Sequence, residues 1–259
     1  MTLGTLRWAQ RSGGEVRGLE ALELWWGLVR AQVLRIFKAR PIAGFRSPED
    51  VARALGELEL PRSSLVKQTL GLVTSLGPPS LVNHALRTWA FGSLLGLRDG
   101  LRWDRETFAV AALLHDLALA RRHHDVCCFA FDGAQQAGAF LAEQGVELAM
   151  RETIAEAICL HLRVEVPPSL GVEAHLVNAG AGVDIVGNRA AELGQPLIRA
   201  VLERHPRGDL VDVLLPLFTQ ERLRHPTARI SRWMDAGFSR LVRQNPLGRR
   251  ADVQPATRG

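Results

Sequence analysis

At 259 residues the chain can bury a substantial core as one large domain or two small ones, and 47% hydrophobic against 23% charged residues is the balance of an ordinary globular protein. The net charge of +5 is mild, carried mostly by arginine and spread without a basic block. Without aromatic interleaving, an RNP-like motif or zinc-finger spacing, it argues against nucleic acid and favours at most an anionic small molecule or an acidic surface.

Residues 1–17 are polar and glycine-containing and are expected to be poorly ordered. The segment Gly18–Lys38 reads as a helix with a broad apolar stripe of Leu22, Trp25, Trp26, Val29, Val33, Ile36 and Phe37, broken off by Pro41. Trp25 and Trp26 beside Arg30, Arg35 and Lys38 invite a membrane-interface reading. The commoner use of such a stripe is docking on the domain or on a second copy, so a membrane is disfavoured and a homo-oligomer through residues 18–38 is kept open. Ser47 caps and Pro48 starts a short helix to about Glu57, and Pro61 restarts the chain.

A helix over Ser63–Leu76 follows, then a break at Gly77-Pro78-Pro79-Ser80. Ser80 is expected to cap the helix LVNHALRTWAFGSLLGL, with His84 near its first turn. Asp104 caps the next, Arg105 to Ala120, whose run FAVAALLHDLALA is apolar on nearly all sides and therefore central. His115 and Asp116 would lie toward its C-terminal end. After a polar loop holding His123-His124-Asp125, which reads as a solvated turn, Asp132 is expected to cap a helix running to Gly145. Cys127, Cys128 and Cys159 form no paired framework, so they read as thiols in a reducing compartment. With no signal segment and no apolar run of about 18 residues, a cytoplasmic location is expected.

Leu148–Leu162 reads as a helix carrying His161, and Pro167-Pro168 ends that unit. Leu176–Val186 holds the small-residue run NAGAGVDIVG, which would let neighbouring backbones approach closely. Helices at about 196–205 and 210–223 precede a last one from Thr227 to Gln244, and the chain beyond is a tail, disordered over 248–259. His175, His205 and His225 fall in or before loops and are assigned nothing. Strand-like alternation is absent. The expected fold is all-α and single-domain, with an N-terminal extension over 1–59 and the main domain over 60–247.

Neighbouring side chains on a helix point about 100° apart, so His115 and Asp116 can converge on an object between them. Imidazole nitrogen and carboxylate oxygen are ordinary ligands for zinc, iron or manganese. An unpaired carboxylate in a core helix is costly, which places a metal beside Asp116. His84 upstream and Asp184 downstream, both in apolar helices, complete a set of two histidines and two aspartates with open positions for water. Asp116, bound through one oxygen, keeps the other for a proton. His161 fits as a proton donor or substrate orienter, or equally as a helix-face histidine paired to a backbone carbonyl.

The order His…His-Asp…Asp resembles the HD-domain superfamily, and five stretches resemble its cyanamide hydratase-like branch: LVNHALRTWAFG, FAVAALLHDLALA, FAFDGAQQAGAFL, AEAICLHLR and LVNAGAGVDIVG. The resemblance spans about Leu60 to Leu247 and implies an HD-type helical bundle. It implies one divalent metal, zinc or iron with manganese as a third option, on His84, His115, Asp116 and Asp184. The chemistry implied is addition of water to a small nitrile-like or amide-like carbon, as in cyanamide to urea. Leu119 stands where phosphohydrolase members place lysine, and Phe129 where diiron members place a histidine, which disfavours phosphoesters and a second metal. Ala118 and Ala130 replace the common glycine and glutamate, so the substrate stays open. Two alternatives remain: a phosphohydrolase on a nucleotide-like monoester, and a catalytically weakened domain that binds a ligand and signals through its N-terminal helix.

Overall fold

The computed structural model describes residues 2–37, 44–45, 47–121 and 128–248. The loop histidines His123 and His124, Asp125, Cys127, Pro41 and the tail beyond Gly248 lie outside them. Among the described residues the only extended pairing is an isolated bridge between Glu15 and Ala228, so the fold is all-α. No described helix is long and apolar enough to cross a membrane.

The first helix, α1 (Leu6–Ser12), lies where disorder was expected. Thr5 caps it by accepting from Trp8 N at 3.2 Å, and Gly13 ends it in the left-handed region at φ 64°. Trp8 fixes it to the body: its ring is buried under the Arg229 guanidinium, 5.3 Å from the centroid, and its Nε1–H donates to Glu20. Too short for a periodic pattern, the segment is held by an aromatic anchor and a few single hydrogen bonds rather than by a stripe. Next, α2 (Leu19–Phe37) buries Leu24 but leaves Leu22, Trp25 and Trp26 of its stripe 50%, 50% and 58% exposed.

Ser47 caps α3 (Pro48–Gly56) as the sequence predicts, and Ser63, read as the first residue of the next helix, instead caps α4 (Ser64–Leu76). Helix α5 (Pro79–Arg98) starts two residues earlier than expected, and Ser80 sits inside its first turn instead of capping it. Asp104 caps α6 (Arg105–Leu114), accepting from Thr107 N at 2.7 Å. That helix does not run on to Ala120: it stops at His115, and α7 (Leu117–Arg121) begins afresh. The cause is local. His115 Nδ1 bonds Ala112 O at 2.8 Å, occupying a carbonyl that the helix would otherwise use. Helix α8 (Phe129–Glu143) begins before Asp132, which therefore is no cap; its carboxylate accepts from Gln136 Nε2 at 2.8 Å.

His161 closes α9 (Leu148–Leu160) by the same device, with Nδ1 on Ile158 O at 2.5 Å. Helix α10 (Val172–Val186) starts earlier than expected and takes in His175, whose Nδ1 bonds Val166 O at 2.6 Å. After α11 (Gln195–Arg204) and α12 (Leu210–Arg224), the expected last helix is two, α13 (Arg229–Asp235) and α14 (Phe238–Arg243). Gly237 at φ 85° makes the break, a conformation that costs other residues more.

Helix α6 is buried along its length from Thr107 to Leu114 and forms the centre. Beside it α5 and α10 pack with their backbones almost touching. A Cβ on Gly180 would lie 2.1 Å from Thr88 O, and one on Gly92 would lie 2.6 Å from Leu176 O. The small residues of NAGAGVDIVG thus do what the sequence suggested. Gly180 and Thr88 each sit one turn from a candidate site residue, Asp184 and His84, so this contact sets the distance between those two.

Candidate metal centre

His84 comes from the first turns of α5, His115 and Asp116 from the break between α6 and α7, and His161 from the end of α9. Asp184 comes from the last turn of α10. Because both helix breaks arise from an imidazole bonding the carbonyl three residues earlier, the same bond that ends each helix also aims the ring. Asn178 on α10 braces the second break, donating to His161 O at 3.0 Å and Arg163 O at 2.8 Å.

Each of the three imidazoles has a fixed acceptor at Nδ1: Asp184 Oδ2 at 2.7 Å for His84, Ala112 O for His115, Ile158 O for His161. With the proton on Nδ1, a neutral ring presents Nε2 as a bare lone pair. His84 Nε2 and His115 Nε2 stand 3.1 Å apart, and they lie 3.5 Å and 3.3 Å from Asp116 Oδ2. Three acceptor atoms facing one another repel unless positive charge lies among them. Ligands bound tetrahedrally at zinc distances are spaced roughly 3.3 Å apart, close to all three separations. These three residues therefore fit a divalent ion, and they form the buried ligand cluster of the described chain.

The electrostatics agree. Burial pushes the Asp116 carboxyl up, but His115, then His84 and His161, outweigh it and hold the group well below the usual carboxylate range. Burial lowers His115, yet Asp116 overrides it, so His115 is raised above an ordinary histidine: absent a metal, a proton there meets the demand for positive charge. His84 is lowered by burial, Asp184 notwithstanding. His161 is brought down to about 3 by burial and the proximity of His115, so it rests neutral. Its Nε2 faces the other carboxylate oxygen, Asp116 Oδ1, at 3.6 Å, and Phe129 packs on its ring at 5.8 Å between centroids.

Asp184 is brought to the same neighbourhood but to the opposite edge of His84. It is fully buried, and Arg87 grips it with two bonds of 2.8 Å, Nε to Oδ1 and Nη2 to Oδ2. Arg207 Nη1 reaches both Oδ1 and the backbone carbonyl, and Asn245 Nδ2 donates to that carbonyl at 2.6 Å. Burial alone would raise this carboxyl; Arg87 and then Arg207 outweigh it and keep it ionised. Arg87 and Arg207 were not singled out in the sequence, where an arginine on a helix or in a loop normally means a solvated surface. The usable signal was spacing: Arg87 lies three residues after His84, on the same face of α5.

A comparison with curated proteins finds no match. The HD domain family matches residues 81–236, more than half of the chain, and that span holds His84, His115, Asp116, His161 and Asp184. HD domains are generally metal-dependent hydrolases that bind divalent metals. With a buried His84–His115–Asp116 cluster inside an all-α fold, this chain belongs to the HD domain family.

Proposed function

We propose that the chain is a metal-dependent hydratase or hydrolase that adds water to a small nitrile-like or amide-like carbon, with cyanamide as the first candidate. The observation that carries this reading is the set of three facing acceptors, His84 Nε2, His115 Nε2 and Asp116 Oδ2, spaced for one ion. A divalent ion held by these residues, zinc or iron before manganese, supplies a nucleophilic water near neutral pH. Asp116 turns Oδ2 to the two histidines, which leaves Oδ1 to accept the proton released as water adds and to return it to the substrate nitrogen. His161, neutral with Nε2 bare, accepts an N–H of the substrate and orients it, rather than donating a proton at rest. One O–C bond forms, one C–N π bond is lost and one proton from water ends on nitrogen; the O–H proton of the resulting isourea then shifts to that nitrogen as C=O forms, and cyanamide gives urea.

The apolar surroundings of Asp116 count against a phosphate ester. Beside Asp116 lies a cavity of about 20 Å³ walled by Val73, Leu81, Val82, Ala85, Leu113 and Leu117, room for about one water. Its described walls offer no lysine or arginine, and a phosphate group calls for such donors. Leu119, at the position where a lysine would serve phosphate, is buried.

The test is elemental analysis of purified protein with Asp116→Ala alongside, followed by urea formation from cyanamide and amide formation from simple nitriles. About one ion per chain, lost in Asp116→Ala, and turnover that follows metal content are expected. Stoichiometric metal with turnover only of phosphomonoesters would select the phosphohydrolase alternative, and metal without any turnover would select a ligand-binding module. No ion after reconstitution would end the metal-centre reading.

A further inference from the structure

We propose that Asp184 does not ligate the ion but positions His84, leaving the ion three protein ligands, His84, His115 and Asp116, and an open remainder for water and substrate. This rests on the metal-centre reading above. A carboxylate has about four lone-pair sites. Here four N–H bonds converge on it: His84 Nδ1 and Arg87 Nη2 on Oδ2, Arg87 Nε and Arg207 Nη1 on Oδ1. Nothing remains to offer a metal. Direction excludes it as well. The two nitrogens of one imidazole point away from each other, so a carboxylate seated on Nδ1 cannot reach an ion seated on Nε2.

The surroundings are built to keep that arrangement. Arg207 and Asn245 pin the backbone carbonyl of Asp184, while Arg87 is itself anchored by donating Nη1 to His205 O at 2.9 Å and Pro206 O at 2.8 Å. The two guanidiniums keep Asp184 anionic inside the core, and the anion fixes the Nδ1–H tautomer of His84, which frees Nε2 and makes it the better donor to a metal. A carboxylate behind a metal-bound histidine is worth roughly 10–100-fold in metal affinity, whereas a ligand is worth nearly all of it. Three ligands and an open remainder mark sites that do chemistry rather than hold structure.

Zinc is the probe. Stripped wild-type protein, Asp184→Asn, Asp116→Asn and His115→Ala are titrated by calorimetry, and visible spectra are recorded for their cobalt forms. Expected is one ion per chain in wild type, none in His115→Ala or Asp116→Asn, and one in Asp184→Asn bound about 10–100-fold more weakly. The cobalt band positions of Asp184→Asn should match wild type. A folded Asp184→Asn that takes up no ion, or a cobalt spectrum of altered shape, overturns the positioning role. Asp184→Asn leaves two arginines unbalanced and can fail to fold, so ¹⁵N-histidine NMR of zinc-loaded wild type decides independently. The Nδ1 proton of His84 should persist, hydrogen-bonded, after zinc is added; its loss overturns the role. A wild-type protein that binds no zinc removes the metal-centre reading, and this inference with it.

Discussion

His84, His115 and His161 share one habit, giving Nδ1 to a fixed acceptor so that Nε2 is aimed and bare. At His115 this sets up competition between a proton and a metal, because Asp116 raises that imidazole above its ordinary value. Zinc affinity should therefore be greatest in mildly alkaline solution and fall by up to about tenfold per pH unit once the pH drops below the raised value. Calorimetry across pH 5 to 8 checks this, and a flat profile would contradict it. His161 has the opposite sign. Its folded-state value of about 3 lies below that of an unfolded histidine, so between the two only the unfolded chain takes up the proton. The metal-stripped protein should keep this contribution above pH about 6.5 and lose it progressively toward pH 3. His161→Gln should flatten that part of the dependence, read as the difference in urea midpoints between variant and wild type.

Among the elements, α5 and α10 matter most, since their separation decides whether Asp184 reaches His84. Gly180→Ala would push a methyl group into Thr88 O across that contact. It should cost roughly 1–3 kcal/mol in urea unfolding and weaken zinc binding, because His84 and Asp184 would be drawn apart. Gly138, inside α8 with open space around its Cβ position, is the control: Gly138→Ala should stabilise by up to about 1 kcal/mol and leave zinc binding unchanged. The sequence made some of these elements plain and hid others for stated reasons. Caps at Ser47 and Asp104 were legible because capping is local. His84, His115 and Asp116 were legible because polar groups stand out in apolar helices. The break at His115 was not, since FAVAALLHDLALA carries no proline or glycine and the interruption depends on a side chain taking a carbonyl. Nor was the Arg87–Asp184–Arg207 cluster, which joins residues far apart in sequence through a packing contact that no local pattern records.

For the molecule as a whole, the N-terminal arm is part of the fold. Trp8 is buried, Leu6 N donates to Glu156 at 2.5 Å, and Arg163 reaches Leu3 O, so residues 2–16 are stitched to α9 and α13. Trp8→Ala should lower the unfolding free energy by roughly 3–5 kcal/mol, measured in urea, while the stoichiometry of zinc binding under native conditions stays at one. The described chain exposes Leu19, Leu22, Trp25 and Trp26 together, and these residues lie in the segment for which docking on the domain or on a second copy was kept open. Asn245 carries a different consequence. It lies beyond the stretch matched by the family, yet its amide is bonded to the backbone of Asp184 from 61 positions away. A fragment cut to residues 81–236 would keep each aspartate and histidine of the site and still lose that bond, along with Trp8 and the first residues of α5. The smallest competent piece of this chain is set by what braces its chemistry, and it is longer than the part a family pattern can recognise.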